Sequence, residues 1–237
     1  MGSVGQAIAH TLSGAGYLVY LTYRSASPED TMLFMQSLGG NQHTAVQCDI
    51  SKFEDVSKLI DQIKTKHERF DVCVHTASDT IVRQKIEDMT PSQFRSQFEA
   101  SVFGAFNFFS QIVPILKSQQ SGLIIAITTS AIDNPEGSGK MSGYIAAKYA
   151  LEGLLRETAR ECKTSGVRVN AIAPDLMHTK LTADLPTRLF EFLAEKDPRG
   201  RITTPEDVAG KVLYLVNEGN TVSGMSLDVA TDAIRPL

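Results

Sequence analysis

The sequence predicts a doubly wound α/β domain, a mostly parallel sheet with helices on both faces. Two observations carry this. Short β-prone apolar runs alternate with stretches of helical period along most of the 237 residues. Several of those runs, Leu-Ile-Ile-Ala-Ile at 123–127 above all, are continuously apolar, as strands covered on both faces are. Strand–helix–strand units of this size imply right-handed crossovers. No repeat, low-complexity tract or linker divides the chain, so residues 1–237 read as one domain.

The elements follow in order. Val4, Ala7, Ile8 and Leu12 fall at helical spacing behind Gly2 and Ser3, and Gly14 or Gly16 supplies a glycine stop. Residues 18–23 are β-prone, 28–38 helical, 44–48 a strand, 53–67 a helix and 70–75 a short buried strand. A long helix is expected from about 91 to 117. Residues 122–128 and 167–173 are strands, with a helix at 142–164 between them. A helix at 205–217 and a last strand near 225–229 complete the alternation. Segment 175–204 breaks it. This segment follows the C-terminal end of a strand, where open α/β sheets bind ligands, and reads as a substrate lid. The alternative for 175–204 is an ordinary surface helical hairpin.

Composition narrows the function classes. Lys and Arg total 23 against 27 Asp and Glu, a net charge of −4, which argues against a nucleic-acid partner. No run approaches the ~18 apolar residues of a membrane span, so no membrane partner is expected. Cys48, Cys73 and Cys162 are odd in number and scattered, which excludes a disulfide framework and a four-cysteine zinc site. No metal is expected. Without a signal-peptide pattern at the start, the reading is a soluble cytoplasmic enzyme or binding domain.

Tyr144-Ile-Ala-Ala-Lys148 is the sharpest chemical feature. Spacing of i,i+4 puts both side chains on one face of a helix. A free tyrosine titrates at about 10, and an ammonium at about 4 Å in a partly closed cleft offsets roughly 4 kcal/mol of that preference. Alone, the pattern is equally a surface lysine beside a half-buried tyrosine. Upstream, however, the strand at 122–128 ends in Thr128-Thr129-Ser130, hydroxyls at the sheet edge able to hold a carbonyl while a phenol protonates it.

These residues resemble the short-chain dehydrogenase/reductase family, and the resemblance covers essentially the whole chain. Gly2-Ser-Val-Gly5-Gln-Ala-Ile-Ala9 is similar to the back half of the family's glycine-rich turn and first helix. Cys48-Asp49-Ile50-Ser51 resembles its adenine-contacting acidic turn. Asp71 to Ser78 resembles the strand leading to Asn-Asn-Ala-Gly, which places Ala77 at the cofactor. Val167 to Pro174 resembles the strand before Pro-Gly, and Ser223 to Val229 the last strand. The branch it most resembles is that of the 3-oxoacyl-carrier-protein reductases.

The resemblance implies a Rossmann-type fold and hydride transfer between a nicotinamide dinucleotide and a carbonyl or alcohol. In that scheme Tyr144 is the proton donor, and Lys148 lowers its pKa and holds the nicotinamide ribose. Thr129 is the substrate-orienting hydroxyl, with Ser130 its alternative because of a two-residue insertion near 136–138. Thr179 contacts the carboxamide or phosphates, and Gly2, Ser3, Val4 and Gly5 receive the pyrophosphate. The second strand ends in Tyr23-Arg24-Ser25 with no carboxylate until Glu29. An acidic residue there favours NAD and an arginine accommodates a 2′-phosphate, so NADPH is expected over NADH.

Four departures from the family's pattern stand out. Ser101 occupies the place of its catalytic asparagine, and His75-Thr-Ala-Ser78 replaces Asn-Asn-Ala-Gly. Pro174-Asp175 replaces Pro-Gly, so Ser78 and Asp175 put side chains where glycine leaves room. The family's opening strand and the front of its glycine turn have no counterpart before Met1. Three accounts of that stay open: a start at an internal methionine or a truncation, a degenerate noncatalytic relative acting as a binding or assembly subunit, and a strand supplied by another subunit. Phe94, Phe98, Val102, Ala105, Phe109 and Ile112 form one apolar stripe of the long helix, while Phe103 and Phe106 lie off it. Two apolar faces on a helix that the family packs against a partner imply a homodimer or homotetramer. Leu181, Leu185, Leu189, Phe190, Phe192 and Leu193 suggest an apolar substrate wall in segment 175–204.

Overall fold

The structure, a computed structural model, describes residues 2–40, 42–134, 139–217 and 221–237. The insertion read near 136–138 lies outside them. Eight α-helices and seven strands are described: α1 (Ser3–Gly14), β1 (Tyr20–Tyr23), α2 (Pro28–Ser37), β2 (Thr44–Gln47), α3 (Phe53–Lys64), β3 (Val72–His75), α4 (Pro91–Ser96), α5 (Gly104–Gln119), β4 (Gly122–Ile127), α6 (Ser142–Glu161), β5 (Val167–Ala173), α7 (Thr187–Lys196), α8 (Pro205–Val216), β6 (Met225–Asp228) and β7 (Ile234–Pro236). The alternation is the expected one.

Strands β3 to β6 pair in parallel, with Val72 beside Leu123, Gly122 beside Val167 and Ile172 beside Leu227. Strand β7, not foreseen from the sequence, adds an antiparallel edge with Leu227 beside Ile234. Its three residues are too few to carry a period. Strands β1 and β2 form a separate parallel pair, Tyr20 beside Thr44. Among the described residues no ladder joins β1 to β3.

Alternation along β4 sends Leu123, Ile125 and Ile127 to one face and Ile124 and Ala126 to the other. The first set packs with Ala7, Ile8 and Leu12 of α1 and Val208, Val212 and Leu215 of α8. The second meets Phe109, Ile112 and Leu116 of α5 and Leu151 and Leu155 of α6. Helix α3 extends that layer through Val56, Leu59 and Ile60.

The helix expected over 91–117 is not continuous. Between α4 and α5 the chain opens into a wide π turn at Glu99–Phe103. A residue inserted into a helix rotates the faces before it by roughly 100° against those after it. The apolar stripe is split accordingly. Ala105, Phe109 and Ile112 are core, whereas Phe94 is 40% exposed, beside Phe103 at 48% and Phe106 at 54%. Residues Pro91–Gln119 have the length and composition of a membrane-crossing helix, but half of the apolar window is buried inside the domain. A core helix passes the same test.

Candidate active site

Turns at the C-terminal ends of β1, β3, β4 and β5 open onto one cleft of about 2000 Å³. Its wall holds Gly2, Ser3, Val4 and Gly5 at the start of α1, Arg24 after β1, and Asp49 and Ile50 after β2. Ala77 follows β3, Thr129 and Ser130 follow β4, Tyr144 and Lys148 come from α6, and Pro174 and Thr179 follow β5. Of the expected catalytic and cofactor-binding residues, Ser101 alone stands back from the wall, buried at 1% exposure in the π turn.

Tyr144 and Lys148 lie one turn apart on α6, as their spacing requires. The Thr129 side chain acts on the Tyr144 phenol, and its hydroxyl donates to the Pro174 carbonyl at 3.4 Å. Ser130 is engaged elsewhere: its hydroxyl donates to the Asp175 carboxylate, and its amide to the Pro174 carbonyl at 3.0 Å. Both hydroxyls reach the Pro174 carbonyl at 3.4 Å; what distinguishes them is the Asp175 carboxylate at Ser130 and the Tyr144 phenol at Thr129. Burial pushes the Tyr144 phenol above its ordinary value, while the Thr129 side chain and the charge of Arg83 pull it back.

Lys148 does not sit as the spacing argument supposed. Its Nζ lies 5.7 Å from the Tyr144 ring centroid and donates to the Ile127 carbonyl at 2.9 Å. The charge bearing on the phenol hydroxyl belongs to Arg83. Burial lowers the Lys148 ammonium to about 8, and Asp79 opposes that fall.

Arg83, Asp79 and Gln97 escape sequence reasoning because each acts across a long loop between β3 and α4. Arg83 Nη1 binds both Asp184 carboxylate oxygens at 2.8 Å, and its Nη2 donates to the Leu181 carbonyl, which ties that loop to segment 175–204. Gln97, 3% exposed, accepts from the Val82 amide and donates to the Thr80 carbonyl. Asp79 accepts from the Ala100 amide at 2.9 Å and the Ser101 amide at 3.4 Å. Only the departure at His75-Thr-Ala-Ser78 marked this stretch as unusual.

Segment 175–204 contributes Leu176, Leu181, Leu185, Leu189 and Leu193 to the cleft. Phe190 and Phe192 do not line it, contrary to expectation. Phe190 stacks on His178 at 3.7 Å and is buried, and Phe192 is 49% exposed beneath the Lys196 ammonium. On an amphipathic helix the apolar positions fall on more than one side.

The cleft suits a dinucleotide. Helix α1 begins in its wall, and the N-cap residue Gly2 has no side chain to occupy the first amides of the helix. A Cβ on Gly5 would stand 3.3 Å from Thr76 Oγ1, so the helix start packs tightly on the turn after β3. Asp49 is held by the Ser51 amide and hydroxyl, which lowers its carboxyl below the ordinary range. The Asp175 carboxylate is drawn onto Ser130 rather than free.

Residues 1–230 match the family model described as Enoyl-(Acyl carrier protein) reductase. The chain belongs to the short-chain dehydrogenase/reductase family. As a member of it, the protein is an NAD(P)-dependent oxidoreductase with a Rossmann-type fold. Among its relatives is the 3-oxoacyl-[acyl-carrier-protein] reductase of Synechocystis sp., 29% identical over 221 residues, covering 91% of this chain and 85% of the relative. The 7alpha-hydroxysteroid dehydrogenase of Escherichia coli is 29% identical over 237 residues, covering 99% and 91%. The crystal structure of a Brucella melitensis 3-ketoacyl-(acyl-carrier-protein) reductase complexed with NADH superposes with a TM-score of 0.87 at 21% identity, covering 96% and 92%. That of levodione reductase gives 0.88 at 21% identity, covering 97% and 92%. At that identity the two superpositions speak for the fold alone.

Proposed function

We propose that this family member is an NADPH-dependent reductase of apolar ketones, of the 3-oxoacyl kind, with Tyr144 as proton donor. The observation that carries the reading is that Thr129 and Tyr144 share the wall of one cleft that opens beside the start of α1, with the Thr129 side chain acting on the phenol.

A bound nicotinamide dinucleotide supplies the hydride. The amides of Ser3, Val4 and Gly5 would hold its pyrophosphate, and Arg24, exposed at the cleft wall, would receive the 2′-phosphate. Asp49, Ile50 and Ala77 would meet its adenine end, and Pro174 and Thr179 its nicotinamide end. Thr129 orients the substrate carbonyl, and Tyr144 delivers its hydroxyl proton to the carbonyl oxygen as the alkoxide forms. Lys148, held on the Ile127 carbonyl, restores positive potential beneath the ring and binds the ribose. Ser101, buried in the π turn behind the cleft wall, stands where the family has its catalytic asparagine.

Segment 175–204 serves as the substrate lid, with Leu181, Leu185, Leu189 and Leu193 as its apolar inner wall. The exposed Phe94, Phe103 and Phe106 cover one another in a homodimer or homotetramer. The enzyme works in the cytoplasm.

The test is consumption of NADPH, followed at 340 nm, against a panel of 3-oxoacyl thioesters and cyclic ketones. Turnover with an apolar ketone, at a kcat/KM at least tenfold higher for NADPH than for NADH, is the expected result. Tight cofactor binding with no turnover of any ketone overturns it.

A further inference from the structure

Segment 175–204 is joined unevenly to the rest of the domain. Its root is apolar, for Met177 lies in the core that residues of α1, β4 and α8 share. Beyond that root the segment closes on itself. The Thr182 hydroxyl donates to the Met177 carbonyl, the Thr179 hydroxyl accepts from the Leu181 amide, and Arg199 reaches back to Asp197 and Thr203. Phe190 is buried against His178 yet takes no part in the core around the sheet. Among the described residues, every hydrogen bond of 176–200 stays within the segment except those from Arg83.

The Arg83 end of that link is firmly held. On one side of it the Val82 amide donates to Gln97 Oε1 at 3.2 Å, and Gln97 donates in turn to the Thr80 carbonyl at 2.8 Å. On the other side Gln84 bridges in parallel to Met141, just before α6. A Cβ on Gly143 would stand 3.0 Å from Gln97 Cγ, so the first turn of α6, which carries Tyr144, packs closely on the same glutamine. Arg83 therefore projects from the frame that holds Tyr144.

Its guanidinium side chain is 17% exposed, and its partners lie three residues apart in the segment. Nη1 meets both Asp184 oxygens at 2.8 Å, and Nη2 donates to the Leu181 carbonyl at 3.3 Å. A planar fork takes a carboxylate and a carbonyl together in one fixed geometry, which the compact ammonium of a lysine does not. Leu181 itself, and Leu185 next to Asp184, line the cleft.

We propose that Arg83 is a positioning residue for the substrate wall: its guanidinium clasps the Leu181 carbonyl and the Asp184 carboxylate, and so fixes Leu181 and Leu185 against the frame that carries Tyr144. The proposal rests on the reading of 175–204 as the substrate lid. A wall held at one distance from the acid governs how a long apolar ketone is bound, not how its oxygen is protonated.

The clasp is read first without cofactor or substrate, by amide hydrogen exchange in the full chain. Arg83→Met should speed exchange across 178–193 by about tenfold, and Asp184→Ala by about threefold, while β4 and α6 keep the protection of the parent. Because the two residues share one contact, the double variant should exchange no faster than Arg83→Met. Asp184 is 57% exposed and outside the cleft wall, so Asp184→Ala reports on the clasp whether or not Arg83→Met folds. That variant also spares the charge of Arg83, which bears on the Tyr144 phenol. In it, the KM for a long-chain 3-oxoacyl thioester should rise about fivefold with kcat within about twofold of the parent, the mark of lost ground-state binding. Unchanged exchange over 178–193 in Asp184→Ala overturns the clasp. Faster exchange with an unchanged KM overturns its role at the substrate wall. Faster exchange in a protein that reduces no ketone would defeat the reductase reading and leave the clasp intact.

Discussion

The hydroxyl of Ser130 donates to the carboxylate of Asp175, while the side chain of its neighbour Thr129 acts on the phenol of Tyr144. Both hydroxyls also reach the Pro174 carbonyl after β5, so the phenol beside Thr129 and the carboxylate on Ser130 are what set the two apart. Thr129→Val should therefore cut kcat for ketone reduction by about 10²-fold, within the usual range for a positioned donor. Ser130→Ala should cost less than about fivefold. Steady-state kinetics of the two variants check this, and the reverse order would exchange their roles.

Tyr144→Phe removes the proton but little volume. Turnover should fall by about 10³-fold or more, as loss of a general acid does. The NADPH dissociation constant, followed by fluorescence, should stay within about twofold. A variant that keeps turning over would remove Tyr144 from the chemistry.

Arg24 makes no ion pair among the described residues and is exposed at the wall of the cleft. Its replacement by alanine should raise the KM for NADPH by about tenfold, one charge-assisted contact of roughly 1.4 kcal/mol. The KM for NADH should barely change. Equal loss for both cofactors would mean that Arg24 does not meet a 2′-phosphate.

His75 makes stability depend on pH. Its folded value is depressed to about 3 by burial and by the charge of Lys148, whereas an unfolded histidine titrates at about 6.5. Below 6.5 the unfolded chain takes up a proton that the folded chain refuses. Stability is thus fully present above 6.5 and falls as pH drops toward 3, by up to about 1.4 kcal/mol per pH unit. Urea unfolding at pH 7, 6 and 5 should show that slope, and His75→Asn should flatten it. Identical slopes in the two proteins would assign the loss to other groups.

Gly166, at the turn into β5, has φ +70°, and a Cβ there would stand 2.2 Å from the Gln120 carbonyl oxygen. Both the left-handed backbone and the backbone contact oppose a side chain. Gly166→Ala should destabilise the domain by roughly 2–4 kcal/mol, the cost of strain at a special position. A denaturation midpoint equal to that of the parent chain would show that the Gln120 turn yields freely.

Elements with a strong local signal were legible in the chain. Tyr144 and Lys148 on one helix face, the uninterrupted strand β4, and the Pro-Glu-Asp start of α8 all follow from short-range periodicity and capping. The lining of the cleft by Gly2, Arg24, Asp49, Thr129 and Thr179 followed from the resemblance, because family motifs mark turns at strand ends. The break at Glu99–Phe103 was not legible. A π turn has the composition of ordinary helix, and the phase change in its phenylalanines appears only against the surfaces they meet.

The sequence by itself determined the layers of the domain and the placing of Tyr144 and Lys148 as a pair on one helix face, since both depend on spacings of a few residues. Only the tertiary structure decided which charges reach that pair. The charge of Arg83 bears on Tyr144, and that of Asp79 on Lys148, from a loop that Gln97 and Asp184 hold in place. Electrostatic effects depend on distance and burial, and residues separated by more than sixty positions acquire both only when the chain has folded.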